Sequence, residues 1–297
     1  MRKTVDRTVV LLCVAATGLI LAMLAVIVAN VVRNGTARLT WEFLTAAPEQ
    51  GMTAGGIYPA IYGTVLSVLI MSAAAVPFGV VVAIYFAEYA RTSSRSYRWT
   101  RMAINNLAGV PSIVFGLFGL GFFIQSIGGA FDRALYGGQL VLGQPSILWA
   151  SMTMAVMTLP VVIITVEETL RAVPREYREA SLALGATRLQ TVARVTLPQA
   201  WSGVMTGAIL AVSRGAGEVA PVLFTGVAYF LPLLPTRAND QFMQLGYHIF
   251  VLSTQSTDVE ATKPLLYSTV LVLLVLTFCL NITAIVIRNR MRRWATR

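Results

Sequence analysis

Six stretches of this chain stay apolar for about 20 residues or more, at roughly 9–32, 60–87, 103–128, 146–167, 199–227 and 264–287. About 20 apolar residues match the hydrocarbon thickness of a bilayer, whereas a globular core needs only an apolar face on each element. In lipid every backbone N–H and C=O must bond within its own helix or within a closed barrel, and nothing here alternates with barrel periodicity. The expected fold class is therefore all-α, a polytopic membrane protein with six transmembrane helices. The composition agrees, with 12% charged residues where a soluble domain has about a quarter. The first stretch follows Arg2, Lys3 and Arg7 as a signal peptide would, but it is too long for one and no small-residue cleavage site follows it, so a retained anchor is expected. The second and fifth stretches exceed one crossing, and Pro77 and Pro221 are the expected break points.

The formal charge of +10 raises the question of a nucleic-acid partner, which needs a basic patch on a polar surface; this chain has little such surface, and none is expected. Lys and Arg instead collect on one side of the spans: seventeen lie there, five on the other side, and Arg214 lies inside a span. That bias places both termini in the cytoplasm. Trp99, Trp149 and Trp201 fall near span ends, as interfacial anchors do. Cys13, Cys279 and the single histidine, His248, are too few for a structural zinc site, and His248 is expected to be an ordinary residue of the external 231–263 segment.

The longest cytoplasmic insertion, 168–198, is more than a connector. Pro174 suits a first helical turn, and Tyr177, Ala180, Ser181 and Leu184 follow on one face. Gly185 permits a turn, and a second stripe through Leu189, Val192 and Val195 or Thr196 runs to Pro198, which opens the fifth span. Two short amphipathic helices joined at a glycine can dock a soluble partner or lie along the membrane surface. Composition alone leaves both readings open.

Apart from Glu167 at the cytoplasmic end of the fourth stretch, only Arg214 and Glu218 are charged residues inside a predicted span, four residues apart and so on one helix face. A guanidinium grips a tetrahedral oxyanion through paired donors, which suits an anion pathway; a permanent ion pair that locks two helices is the other reading. In the third span, Pro111 with Gly109, Gly116, Gly119 and Gly121 predicts a break near Ser112 that either lines a substrate site or serves close helix packing.

Glu179-Ala180-Ser181, three residues, Gly185, nine residues, then Val195-Thr196-Leu197-Pro198 resembles the E-A-A, x3, G, x9, I-x-L-P loop of ABC-importer permeases, with Ser181 and Val195 departing from the pattern by small changes. The resemblance implies the type I (MetI-like) permease fold and a coupling helix that docks on a cytoplasmic ATPase through Glu179, Ala180, Gly185, Ala186, Leu189, Leu197 and Pro198. The chain's two lysines, Lys3 and Lys263, follow no glycine, so it has no phosphate-cradling G-x-x-x-x-G-K-[ST] loop. It is expected not to be an enzyme and to bind no cofactor, with ATP and Mg carried by the partner. GVPSIVFGLFGL and SRGAGEVAPVLFTG together look like paired segments of phosphate-specific ABC importer permeases, the second closer to the A-type than to the C-type half.

That likeness implies a permease subunit for inorganic phosphate in a bacterial cytoplasmic (inner) membrane, working with a C-type sister subunit, an ATPase homodimer, an extracytoplasmic phosphate-binding protein and membrane lipid. Arg214, Glu218, Ser112 and Ser213 then belong to the substrate path, with helix breaks at Pro111, Gly116 and Pro221. The implied organisation is an N-terminal helix and external loop (1–57), a permease core (58–290) holding the 168–198 loop, and a tail (291–297). Rival readings are a permease for sulfate or molybdate and an ion-gradient-driven carrier using Arg214 and Glu218 as a relay; a membrane enzyme lacks any adequate constellation.

Overall fold

The computed structural model describes residues 2–52, 54–256 and 258–295. Helix α1 (Arg2–Gly35) leads to a short α2 (Trp41–Thr45) and a two-residue antiparallel pairing of Pro48–Glu49 with Ala54–Gly55. Then come α3 (Tyr58–Tyr89), α4 (Arg95–Leu107), α5 (Ser112–Leu135), α6 (Ile147–Ala172), α7 (Arg175–Ala183), α8 (Arg188–Gly217), α9 (Ala220–Leu223), α10 (Leu245–Thr254) and α11 (Val259–Ala295). Among the described residues six of these helices, α1, α3, α5, α6, α8 and α11, are long and apolar enough to cross a membrane. Residues 296 and 297 of the tail lie outside the described residues.

The packing centre is α6, flanked by α3 and α8. Val162, Val166 and Leu170 of α6 meet Ala83 of α3 and Ala200, Val204 and Ala211 of α8; one layer along, Met154 meets Met71 and Ala216. Lipid is as apolar as leucine, so these helices associate through close packing, which small residues permit. At Gly203 a Cβ would lie 2.0 Å from the Thr169 hydroxyl, so any side chain there forces α8 off α6. By contrast, α1 stands clear of this core and is fastened at its last turn, where Ser268 of α11 donates to the Gly35 carbonyl at 2.8 Å.

Several expected boundaries move. The third crossing lies at 112–135 and begins nine residues later than expected, because Gly109 and Pro111 end α4 and residues 103–107 belong to that separate, largely exposed helix. The break at Pro111 is present, with Pro111 as the N-cap of α5. Pro77 does not break α3, which runs through it and closes in a π turn at Tyr85–Tyr89; a packed bundle re-satisfies the freed carbonyl locally. Pro198 likewise lies inside a continuous α8, just after a π turn at Val192–Thr196 whose wider ladder makes room for the ring. The fifth crossing ends at Gly217, since a continued helix would drive the Pro221 ring into the Gly217 carbonyl. Pro221 therefore causes the break without occupying it, and sits in the short α9.

Two buried acids were missed. Glu167, 1% exposed in α6, accepts from Arg101 of α4 and from Arg171 at 3.0 Å, and Arg171 also reaches the Tyr97 hydroxyl at 3.0 Å. Asp132, 2% exposed in α5, accepts from the backbone N–H groups of Val141, Leu142 and Gly143 at 2.7–3.0 Å and so folds the loop that enters α6. Trp149 is no interfacial anchor: it is buried, stacks on Phe123 at 5.8 Å, and donates its indole N–H to Leu142.

Candidate functional site

The 168–198 segment folds as two helices joined by a glycine turn. Pro174 is the N-cap of α7, one residue earlier than a first-turn position. Its C-terminus closes when Gly185 turns to φ +84°, with Gly185 N–H donating to Leu182 at 2.9 Å and Ala186 N–H to Ser181 at 3.2 Å. This paired bonding satisfies the last carbonyls of α7 and demands a left-handed residue at Gly185. Thr187 then starts α8 with a capping box: its hydroxyl accepts from Gln190 N–H, and Gln190 Oε1 accepts from Thr187 N–H at 2.8 Å. Ser181 and Thr191 hydroxyls, 3.0 Å apart, tie the two helices together. The result is a rigid projection whose outer surface carries Glu179, Ala180, Leu184 (90% exposed) and Leu189 (70% exposed), with Leu197 and Pro198 further along α8.

Arg178, which the motif does not contain, fastens this projection to the spans. Its guanidinium meets the Glu88 carboxylate at 2.8 Å and donates to the carbonyls of Val173 and Leu170. Beside it opens a cleft of about 210 Å³ between Tyr89, Leu182 and Arg188.

Toward the other end of α8 lies the intramembrane pair. Arg214 Nε donates to Glu218 Oε1 at 3.2 Å, with side chains 34% and 21% exposed. The shared helix face was expected, yet Glu218 is the C-cap, at φ −78° and ψ 133°, and reaches back from the break. A guanidinium held by one carboxylate through one nitrogen retains free donors for an anion. Ser213, the neighbour of Arg214, accepts at 3.3 Å from Asn281 of α11, whose Oδ1 is buried with no hydrogen-bond partner among the described residues. On α5, a Cβ at Gly116 would lie 2.8 Å from the Ala220 carbonyl, so the second turn of α5 is pressed against α9, just past the break after Gly217. Ser112 opens α5 one turn earlier and is part-exposed; among the described residues no hydrogen bond joins it to Arg214.

Helices α4 and α5 meet α6 at different depths. Arg101 meets Glu167 while Gly119 abuts Thr153, two positions on α6 fourteen residues apart, hence about 21 Å along its axis. Buried His248 of α10 corrects the expectation of a loop residue: it is 4% exposed, and burial pushes its pKa down to about 4. The Glu167–Arg171 pair was legible from its spacing of four; the Arg101 partner, 66 residues away, carried no local signal.

Six helices long enough to cross a membrane, a two-helix projection at one end of a long helix and a charged pair at its broken other end define an integral membrane protein. Residues 75–293 match the family of binding-protein-dependent transport system inner membrane components. Phosphate transport system permease protein PstA 1 of Mycobacterium tuberculosis (strain CDC 1551 / Oshkosh) is 34% identical over 81% of this chain and 72% of its own length. PstA of Xylella fastidiosa (strain Temecula1) is 31% identical over 88% and 85%, and the probable ABC transporter permease protein YqgI of Bacillus subtilis (strain 168) is 33% identical over 75% and 71%. In fold, the chain resembles the inward-facing MetNI methionine ABC transporter (TM-score 0.54, 18% identity, 80% of this chain and 94% of that one) and a bacterial importer of alginate (TM-score 0.65, 12% identity, 97% and 98%). The chain belongs to the family of binding-protein-dependent transport system inner membrane components. It is a multi-pass inner-membrane permease subunit of an ABC importer, its partners include an ATPase and a substrate-binding protein, and ATP hydrolysis falls to the separate subunit.

Proposed function

We propose that this chain is the A-type permease subunit of an ATP-driven importer for inorganic phosphate, pairing with a C-type sister and receiving phosphate from an extracytoplasmic binding protein. The relatives named as phosphate permeases support the substrate, and the observation that carries the chemistry is Arg214 held at a helix break, among the described residues, by Glu218. An arginine stays charged at any physiological pH and offers paired donors to a phosphate oxyanion. Phosphate arriving at Arg214 displaces the carboxylate, and Glu218 reclaims the guanidinium when phosphate leaves, so the site is never an unpaired buried charge.

The distribution of Lys and Arg supports cytoplasmic termini, which puts the α7 projection in the cytoplasm against an ATPase homodimer that carries ATP and Mg. Closure of that dimer moves α7; α8, continuous from Arg188 to Gly217, carries the motion to the Arg214–Glu218 break. The complete complex reconstituted in vesicles should hydrolyse ATP in response to the phosphate-loaded binding protein and take up phosphate. Sulfate or molybdate uptake that excludes phosphate in competition would overturn the substrate, and uptake without the ATPase would overturn the energy source.

A further inference from the structure

Gln244 is completely buried, precedes α10, and donates its amide Nε2 to the backbone carbonyl of Glu218 at 3.0 Å. Among the described residues its other amide atom, Oε1, is buried without a hydrogen-bond partner. A side chain placed there only to fill space has no use for an amide, whose unmatched end is penalised in a low dielectric. What the amide accomplishes is at the break. A carbonyl at a helix C-terminus has no intrahelical donor, and this one belongs to the residue whose carboxylate holds Arg214. Fixing the Glu218 carbonyl fixes the backbone from which its side chain turns back.

The segment bearing Gln244 is itself firmly held. Phe242 pairs with the strand-like stretch at Val227, Leu245 N–H donates to Thr64 of α3 at 2.9 Å, and the Met243 carbonyl lies where a Cβ on Gly63 would stand, 2.1 Å away. Gly246 rests over Val219. A displacement of the 226–254 segment therefore reaches Glu218 through one hydrogen bond.

We propose that Gln244 is a positioning residue for the Arg214–Glu218 pair, tying the geometry of that pair to the 226–254 segment at the face where the binding protein delivers its anion. This inference rests on the reading of Arg214–Glu218 as part of the anion path. The test is a double-mutant cycle in the complete reconstituted complex, reading phosphate uptake driven by the phosphate-loaded binding protein, with assembly followed by co-purification of the ATPase. Gln244→Met keeps the length of the side chain and removes the donor; it is expected to lower uptake about tenfold with Glu218 present and to have no further effect in a Glu218→Gln background. Gln244→Glu, which replaces the donor by an acceptor facing the same carbonyl, is read in the same cycle and is expected to lose more than the Met variant. An equal fold loss in both backgrounds makes Gln244 a packing residue and overturns the proposal alone. Wild-type uptake in both Arg214→Gln and Glu218→Gln overturns the anion path and the proposal together.

Discussion

Arg178 and Glu88 meet at 2.8 Å, and through this pair the projecting helix α7 is clasped to the end of α3. The same guanidinium donates to the Leu170 carbonyl of α6 and the Val173 carbonyl of the α6–α7 link. One side chain thus joins three elements at the root of the docking projection. Arg178→Ala is expected to leave the spans folded and the ATPase attached while lowering phosphate uptake about tenfold or more. Hydrogen bonds to charged groups contribute about 1.5–3 kcal/mol each, and losing several here lets α7 tilt without dragging the spans. Uptake and ATP hydrolysis measured on the same vesicles check this, the expected sign being a raised ratio of ATP spent to phosphate moved; an unchanged ratio removes Arg178 from the coupling.

Arg214→Gln should cut phosphate uptake about a hundredfold with normal assembly, the size expected when a charge-assisted bond of about 1.5–3 kcal/mol to the passing anion is lost. Arg214→Lys keeps the charge but not the planar fork, and intermediate uptake is expected. Vesicle uptake at saturating phosphate-loaded binding protein measures both variants, and near wild-type rates in the Gln variant would exclude Arg214 from the path.

At Gly185, φ of +84° places any Cβ in the disfavoured left-handed region. Gly185→Val should cost about 1–2 kcal/mol locally and open the α7–α8 turn, so uptake falls while α8 and the spans persist. Gly185→Asn, which tolerates this conformation, should retain most uptake. A Cβ there meets open space, so the contrast isolates backbone strain. Equal uptake by the two variants would contradict it.

Glu167→Gln tests the buried cluster. Removing the charge at the 1% exposed Glu167 leaves Arg101 and Arg171, 28% and 41% exposed, without their shared acid, and losing charge-assisted hydrogen bonds to groups that water still reaches costs about 1–3 kcal/mol. A lowered thermal unfolding midpoint of the purified subunit is expected; no shift would show that the two arginines find other partners.

How far the sequence foretold this architecture depends on the range of each interaction. The glycine turn at Gly185 is local, and the 179–198 pattern revealed it; the cap at Thr187 is equally local, but the sequence reading did not single it out. Helix ends at prolines were less legible: Pro77 and Pro160 sit inside continuous helices while Pro111 and Pro221 bound breaks, and what separates them is the surrounding packing. Gln244, Arg101 and Arg178 act on residues 26, 66 and 90 positions away, and no spacing rule reaches that far. Glu218 shows both sides, since its spacing from Arg214 and a break at Pro221 were both expected, but not that the helix would end at Gly217 and leave Glu218 as the cap that turns its carboxylate back.

His248 supplies a pH signature. It is 4% exposed, its Nδ1 has no hydrogen-bond partner among the described residues, and burial lowers its pKa from 6.5 to about 4. A depressed pKa means that the unfolded chain binds the proton more readily than the folded one, so stability is fully present above about pH 6.5 and declines as pH falls toward 4. At about 1.4 kcal/mol per unit, this one residue withdraws about 3 kcal/mol across that window. Other groups also titrate there, so the wild type is compared with His248→Gln, which does not ionise. The difference in unfolding midpoint between pH 7 and pH 4.5 should be several degrees smaller in the variant, and equal pH dependence in the two proteins would place the histidine in contact with water or with an acid that stabilises its charged form.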